Sequence, residues 1–224
     1  DGQPEVTNFR VSSGSYRTPG SVAVEGDWSN AAFWLCAGAI GTDPITVEGV
    51  SLSSAQGDRN VLAALSRFGA RIVRSTNAAT VQSDKLAGFE MSAHDIPDLV
   101  PVISAVASLA QGRTFIRDCA RLRIKESDRI SAPAQELAKA GVVIDQLSDG
   151  MLIHGLAGRG NGKPDCPRLP EGTALSAHND HRIAMSLALL GLRQPEVSVH
   201  DLLDDPKVVR KSFPQFWNIW EHLA

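Results

Sequence analysis

Internal repetition is the strongest constraint on what this 224-residue chain can fold into. The small apolar run Ala31 to Ile40 reads as a buried helix, and Ile45 to Val50 alternates like a strand. Arg59 to Phe68 then places Val61, Leu62, Leu65 and Phe68 on one helical face; Gly69 stops it, and Ala70 to Val73 opens a further strand. The same order returns from Asp98 to Ala110, a small-residue helix that tolerates Pro101 in its first turn. The strand Thr114 to Arg117, the helix Ser127 to Ala140, the stop at Gly141 and the strand Val142 to Asp145 follow. A third copy starts at Asp180, with Ile183 to Leu190 as helix and Val197 to His200 as strand, and Phe213 to Leu223 closes the chain as an aromatic-rich helix.

The unit is therefore helix, strand, helix, strand, strand. Pairs such as Val142–Asp145 with Met151–His154 predict hairpins, hence mixed rather than purely parallel sheets. Units that each expose an apolar face must share one core. Residues 1–22 read as the tail of a preceding domain plus a crossover, residues 23–224 as one domain, and Gly158 to Thr173 as a long Gly/Pro-rich loop.

Composition removes several function classes. A net charge of −3 argues against a general nucleic-acid binder. No run of about 18 apolar residues is present, so no membrane helix is expected. The polar start lacks a signal-peptide layout, and its first residue, Asp1 rather than Met, reads as an excised or trimmed segment. Cys36, Cys119 and Cys166 form no CxxC pair and read as reduced thiols of a cytoplasmic protein, with Cys36 in the core.

Polar and charged residues cluster where helices begin: Asp27 to Asn30, Asp98, Glu126 to Arg129, and Asn179 to Arg182. Helix capping accounts for the Asp, Ser and Asn residues, at about 1 kcal/mol each. It does not account for Arg129 and Arg182, because a cation at a helix N-terminus opposes the macrodipole. Cations beside free N–H groups make sense when an anion sits between them. The densest run, Arg121 to Arg129, alternates from Arg121 to Lys125 like a strand end, with Leu122 and Ile124 on one face. Such a run is either a solvated charged face or a Lys125–Glu126 pair poised for proton transfer. His181 serves equally well as a capping group or a catalytic one. His178, Asp180 and His181 lack the spacing of a metal site, so no metal is assigned. Lys207, Arg210 and Lys211, ahead of Pro214, form either a surface turn or one more anion contact.

Five segments carry a resemblance when taken in order: Val24-Glu25-Gly26-Asp27-Trp28-Ser29, Ile96-Pro97-Asp98, Lys125-Glu126-Ser127-Asp128-Arg129, Asn179-Asp180-His181-Arg182 and Lys211-Ser212-Phe213-Pro214. From about Tyr16 onward the chain resembles the C-terminal half of the EPSP synthases. The resemblance implies an α/β chain of repeated βαβαββ units, forming one domain of the inverse α/β barrel fold of enolpyruvyl transferases. It implies transfer of the enolpyruvyl group of phosphoenolpyruvate to the 5-hydroxyl of shikimate 3-phosphate, with release of phosphate and with no cofactor. By the same resemblance Asp98 is the base at the hydroxyl and Glu126 exchanges a proton with the methylene carbon. Lys125 contacts shikimate 3-phosphate, while Arg129, Arg182 and Lys211 hold phosphoenolpyruvate with His181 beside them. Arg121 stands where some relatives carry an asparagine. The N-terminal domain such a site needs is absent from residues 1–224, so the chain alone is expected to be inactive. Three alternatives remain at this point. One is a relative acting on UDP-N-acetylglucosamine, another a non-catalytic anion-binding domain. The third, an RNA 3′-phosphate cyclase relative, is opposed by the acidic charge and the absence of interleaved aromatic and basic residues.

Overall fold

The protein was analysed as a computed structural model that describes residues 8–158 and 165–223. Residues 1–7 of the expected N-terminal tail, and 159–164 of the expected loop, lie outside those described. Residues 8–26 form no regular element and are almost wholly exposed.

The first unit runs α1 (Trp28–Ile40), β1 (Ile45–Glu48), α2 (Val61–Phe68), β2 (Arg71–Ser75) and β3 (Ala78–Gln82). The second runs β4 (Glu90–Ser92), α3 (Val100–Ser108), β5 (Arg113–Arg117), α4 (Ser131–Lys139), β6 (Val143–Leu147) and β7 (Gly150–His154). The third contributes α5 (His181–Ala188), α6 (Val199–Leu202) and α7 (Phe216–Trp220).

Apolar patterning decides which helices go inside. α1 and α3 are apolar almost all round, and a helix without a polar face has to be surrounded by protein. Every residue of α3 is buried, as is α1 from Ala31 to Ile40. α5 is buried along its length except at Arg182. α3 packs against α1 on one side and α5 on the other, with α4 touching both α3 and α5. Close approach of α1 to its sheet requires Gly38, where a Cβ would lie 2.6 Å from the carbonyl oxygen of Val81 on β3.

The strands lie outside this helical centre as two sheets, ordered β1-β3-β2 and β4-β5-β7-β6. All pairings are antiparallel except β4 with β5. Alternation decides the inner face: Ala79 and Val81, Thr114 and Ile116, and Met151 and Ile153 point to the helices. The opposite face keeps Phe115 and Leu152 only half-buried.

The structure corrects four expectations. Among the described residues neither sheet closes into a barrel, so the inverse barrel is not present: closure needs the two edge strands of a sheet to pair, and β1 and β2, like β4 and β6, stand at opposite ends of their sheets. Val197–His200 is not a strand. Ser198 accepts a hydrogen bond from the backbone N–H of Asp201 and starts α6, an S-x-x-D capping pattern present in the sequence. Arg121 to Lys125 is not a strand end, because Ala120–Ile124 is a 3-10 turn. Leu122 is buried there while Ile124 is 87% exposed, which alternation on one strand face would forbid. The closing helix is limited to Phe216–Trp220, whose Phe216 ring sits 5.2 Å from that of Trp34 and 5.6 Å from that of Trp220. Among the described residues, no helix is long and apolar enough to cross a membrane.

Candidate active site

The helix starts singled out in the sequence come together on one face, and capping explains their acids first. Asp27 accepts from the N–H of Ser29 at the head of α1. Asp128 accepts from the N–H groups of Ile130 and Ser131 ahead of α4, at 3.0 and 2.9 Å. Asp180 accepts from the N–H of Arg182 at the head of α5, at 2.9 Å. Asp98 lies in the 3-10 turn Pro97–Leu99 that leads into α3.

Between these starts lies Arg129, only 1% exposed. Its Nε and Nη2 reach the two carboxylate oxygens of Asp180 at 2.7 and 3.1 Å. Its Nη1 donates to Asp98 Oδ1 at 2.8 Å, and Nη2 lies 2.8 Å from Glu126 Oε2. One guanidinium thus gathers three carboxylates, and through Asp180 it joins the second unit to the third. Asp180 is fully buried and also accepts from the hydroxyl of Ser127 at 2.9 Å. Burial alone would raise the Asp180 pKa, but the hydrogen bonds and charge of Arg129 hold it below the usual carboxylate value.

Asp98 is the second hub. Besides Arg129, it has Lys125 Nζ at 3.4 Å from Oδ1 and Arg182 Nη2 at 3.7 Å from Oδ2, while Arg182 Nη1 donates to its backbone carbonyl at 3.2 Å. Glu126 is half-exposed beside Arg129. His181 is buried, its Nδ1 lies 3.9 Å from Asp180 Oδ1, and among the described residues that nitrogen has no hydrogen-bond partner. Burial holds the His181 pKa below its ordinary value; Asp180 opposes this, and Arg182 and Arg129 reinforce it. Lys211 is exposed and donates from Nζ to the carbonyl and side-chain oxygens of Asn179, at 2.7 and 2.8 Å.

Six of the seven residues singled out therefore form one connected group: Asp98, Lys125, Glu126, Arg129, Arg182 and, through Asp180, His181. Lys211 joins by way of Asn179, one residue before Asp180. Arg121 stands apart, donating to the backbone carbonyl of His94. Asp58, which sequence reasoning missed, belongs near the group. It accepts from the Ser29 hydroxyl, and burial pushes its pKa up while the charge of Arg182 pulls it down. Its signal was one more acid just ahead of a helix, in Gln56-Gly57-Asp58. Chemically, the group offers two carboxylates, a ring of cations and several helix N-termini, a combination suited to anions and to proton transfer.

Comparison with known proteins adds an independent line. The family model described as EPSP synthase (3-phosphoshikimate 1-carboxyvinyltransferase) matches residues 1–220. A 3-phosphoshikimate 1-carboxyvinyltransferase of Clostridium perfringens strain SM101 is 37% identical over 211 residues, covering 94% of this chain and 46% of that protein. Its counterpart in Clostridium acetobutylicum is 40% identical over 201 residues, covering 90% of this chain and 43% of that protein. An EPSP synthase structure from Acinetobacter baumannii superposes with a TM-score of 0.72 at 27% identity, over 90% of this chain and 46% of that one. The enolpyruvyl transferase NikO from Streptomyces tendae, at 20% identity and a TM-score of 0.65, shares the fold. The chain spans less than half the length of the relatives it matches. With a family match along almost its whole length, this chain belongs to the EPSP synthase family, as a single domain of the C-terminal kind.

Proposed function

We propose that this chain forms one wall of an enolpyruvyl transferase active site, completed by an N-terminal domain preceding residues 23–224. The observation that carries the reading is the Asp98 carboxylate held among Lys125, Arg129 and Arg182, with Glu126 on the same guanidinium. The substrates proposed are phosphoenolpyruvate and shikimate 3-phosphate, both multiply anionic. Lys125 takes the phosphate-bearing acceptor, and Arg182 and Lys211 take phosphoenolpyruvate, with His181 beside them. Arg129 adds its charge from behind and contacts the ligand when Glu126 leaves its Nη2. Asp98 removes the proton of the 5-hydroxyl as that oxygen bonds to the central carbon of the enol. Glu126 gives a proton to the methylene carbon, and takes one back from it as the carbon–oxygen bond to phosphate breaks. No metal or organic cofactor is assigned a role in this scheme.

Proximity accounts for the requirement of a second wall. Much of the gain in such a reaction comes from holding two substrates in register, and one open face cannot do so. The purified chain is expected to show no turnover, and to regain it when recombined with the N-terminal half of a family member. Turnover by the chain alone would overturn the split-site reading. In the recombined enzyme, D98N and E126Q should each lower kcat by about 100-fold or more, the scale of general acid–base catalysis. Full activity in either variant would remove that carboxylate from the mechanism. Calorimetry with shikimate 3-phosphate separates this reading from a bare anion-binding domain, which would bind it without the second half.

A further inference from the structure

Residues 178–179 adopt a costly backbone. His178 and Asn179 have φ of 49° and 53°, consecutive left-handed positions without a glycine. Each costs about 1 kcal/mol or more and persists only where the surroundings over-determine it. The next residues are Asp180, His181 and Arg182, so this turn sets where they point.

The restraint comes from the middle of α4. Glu136 is 2% exposed, a carboxylate inside the protein that takes no part in the chemistry above. Its Oε1 lies 3.0 Å from His178 Nε2, which must carry the ring proton to donate to a carboxylate. Its Oε2 accepts from the backbone N–H of Ser176 at 2.9 Å and from Lys139 Nζ at 2.8 Å. Lys139 also donates to the carbonyl of Ala174 at 2.8 Å. Asp204 holds the same turn from the other side, accepting from Ala177 N–H at 2.8 Å and from the Ser176 hydroxyl at 2.6 Å. α4 therefore meets the segment before α5 twice. Arg129, ahead of the helix, holds Asp180; Glu136, two turns on, holds His178.

We propose that Glu136 and His178 form a positioning pair that holds the left-handed turn at 178–179 and so aims Asp180, His181 and Arg182 at the site. The catalytic consequence rests on the function proposed above; the structural one does not. The pair touches no reacting atom.

Two measurements test it separately. In the isolated chain, H178A should speed amide hydrogen exchange at Arg182, whose N–H is bound by Asp180, by about ten-fold relative to amides in α3. H178Q, whose amide can still donate to Glu136, should restore slow exchange. A uniform change across α3 and α5, or none at Arg182, overturns the proposal. E136A, which also frees the Ser176 N–H and Lys139, should speed exchange at Arg182 at least as much as H178A, and the double variant no more than E136A; additive effects also overturn the proposal. If E136A does not fold, the two substitutions at the quarter-exposed His178 carry the test. In the recombined enzyme, H178A should raise KM for phosphoenolpyruvate more than it lowers kcat, with rescue by H178Q. Should the wild-type recombined enzyme prove inactive, the proposed function falls and the exchange result alone decides the positioning role.

Discussion

Arg129 holds more of the site together than any other single residue, and its surroundings make its partners unequal. Asp180 is fully buried with it, whereas Asp98 and Glu126 keep access to water. Removing Asp180 leaves a buried cation without its main counter-charge, so D180A should destabilise the chain by about 3–5 kcal/mol in urea unfolding. E126Q, at a half-exposed pair, should cost about 1 kcal/mol or less. His181 makes stability depend on pH. Its folded pKa is depressed by burial, so the unfolded chain takes up the proton first, near the ordinary value of about 6.5. The contribution is complete above that pH, declines as pH falls toward the folded pKa, and is level below it. Urea midpoints between pH 7.5 and 5 should decline in the wild type and decline less in H181Q.

At the scale of elements, helix starts and strand contacts follow different rules. The starts of α1 and α5 are written locally, since an acid reaches an N–H two residues ahead. D27A should therefore cost about 1 kcal/mol, read from the shift in thermal or urea midpoint. Strand contacts depend on what lies across them. A Cβ on Gly155 would sit 2.0 Å from the carbonyl oxygen of Ala110, and backbone cannot step aside. A Cβ on Gly112 would meet none of the described residues within 4 Å, although φ there is +83°. G155A is expected to cost roughly 3 kcal/mol or more, and G112A about 1–2 kcal/mol. Equal losses in the two variants would contradict the close approach.

At the scale of the molecule, the three units differ in what they supply. The second presents a four-stranded sheet, the first a three-stranded one, and the third packs α5 into the centre. Among the described residues, its only strand-like pairing is the isolated bridge between Leu175 and Leu203. The site lies where the starts of α3, α4 and α5 meet, so it requires the second and third units to be packed together. Disrupting their contact should remove ligand binding and stability in parallel, whereas D98N should lower kcat in the recombined enzyme at a smaller cost in stability than D180A, because Asp98 keeps access to water.

Much of this was legible along the chain. Periodicity identified α1, α2, α3 and the β6–β7 hairpin because each depends on neighbours within a few residues. The five ordered motifs identified the family for the same reason, since each is contiguous. Spacing could not say that Leu122 and Ile124 part company, because a short charged run suits a strand and a 3-10 turn alike. Nor could it pair Glu136 with His178 or Arg129 with Asp180, residues more than 40 positions apart. Sequence by itself determined where α1 and α5 begin and which family the chain belongs to. Tertiary structure decided that the sheets stay open and that one buried guanidinium gathers three carboxylates, because strand closure and charge pairing depend on which distant surfaces the packed helices bring together.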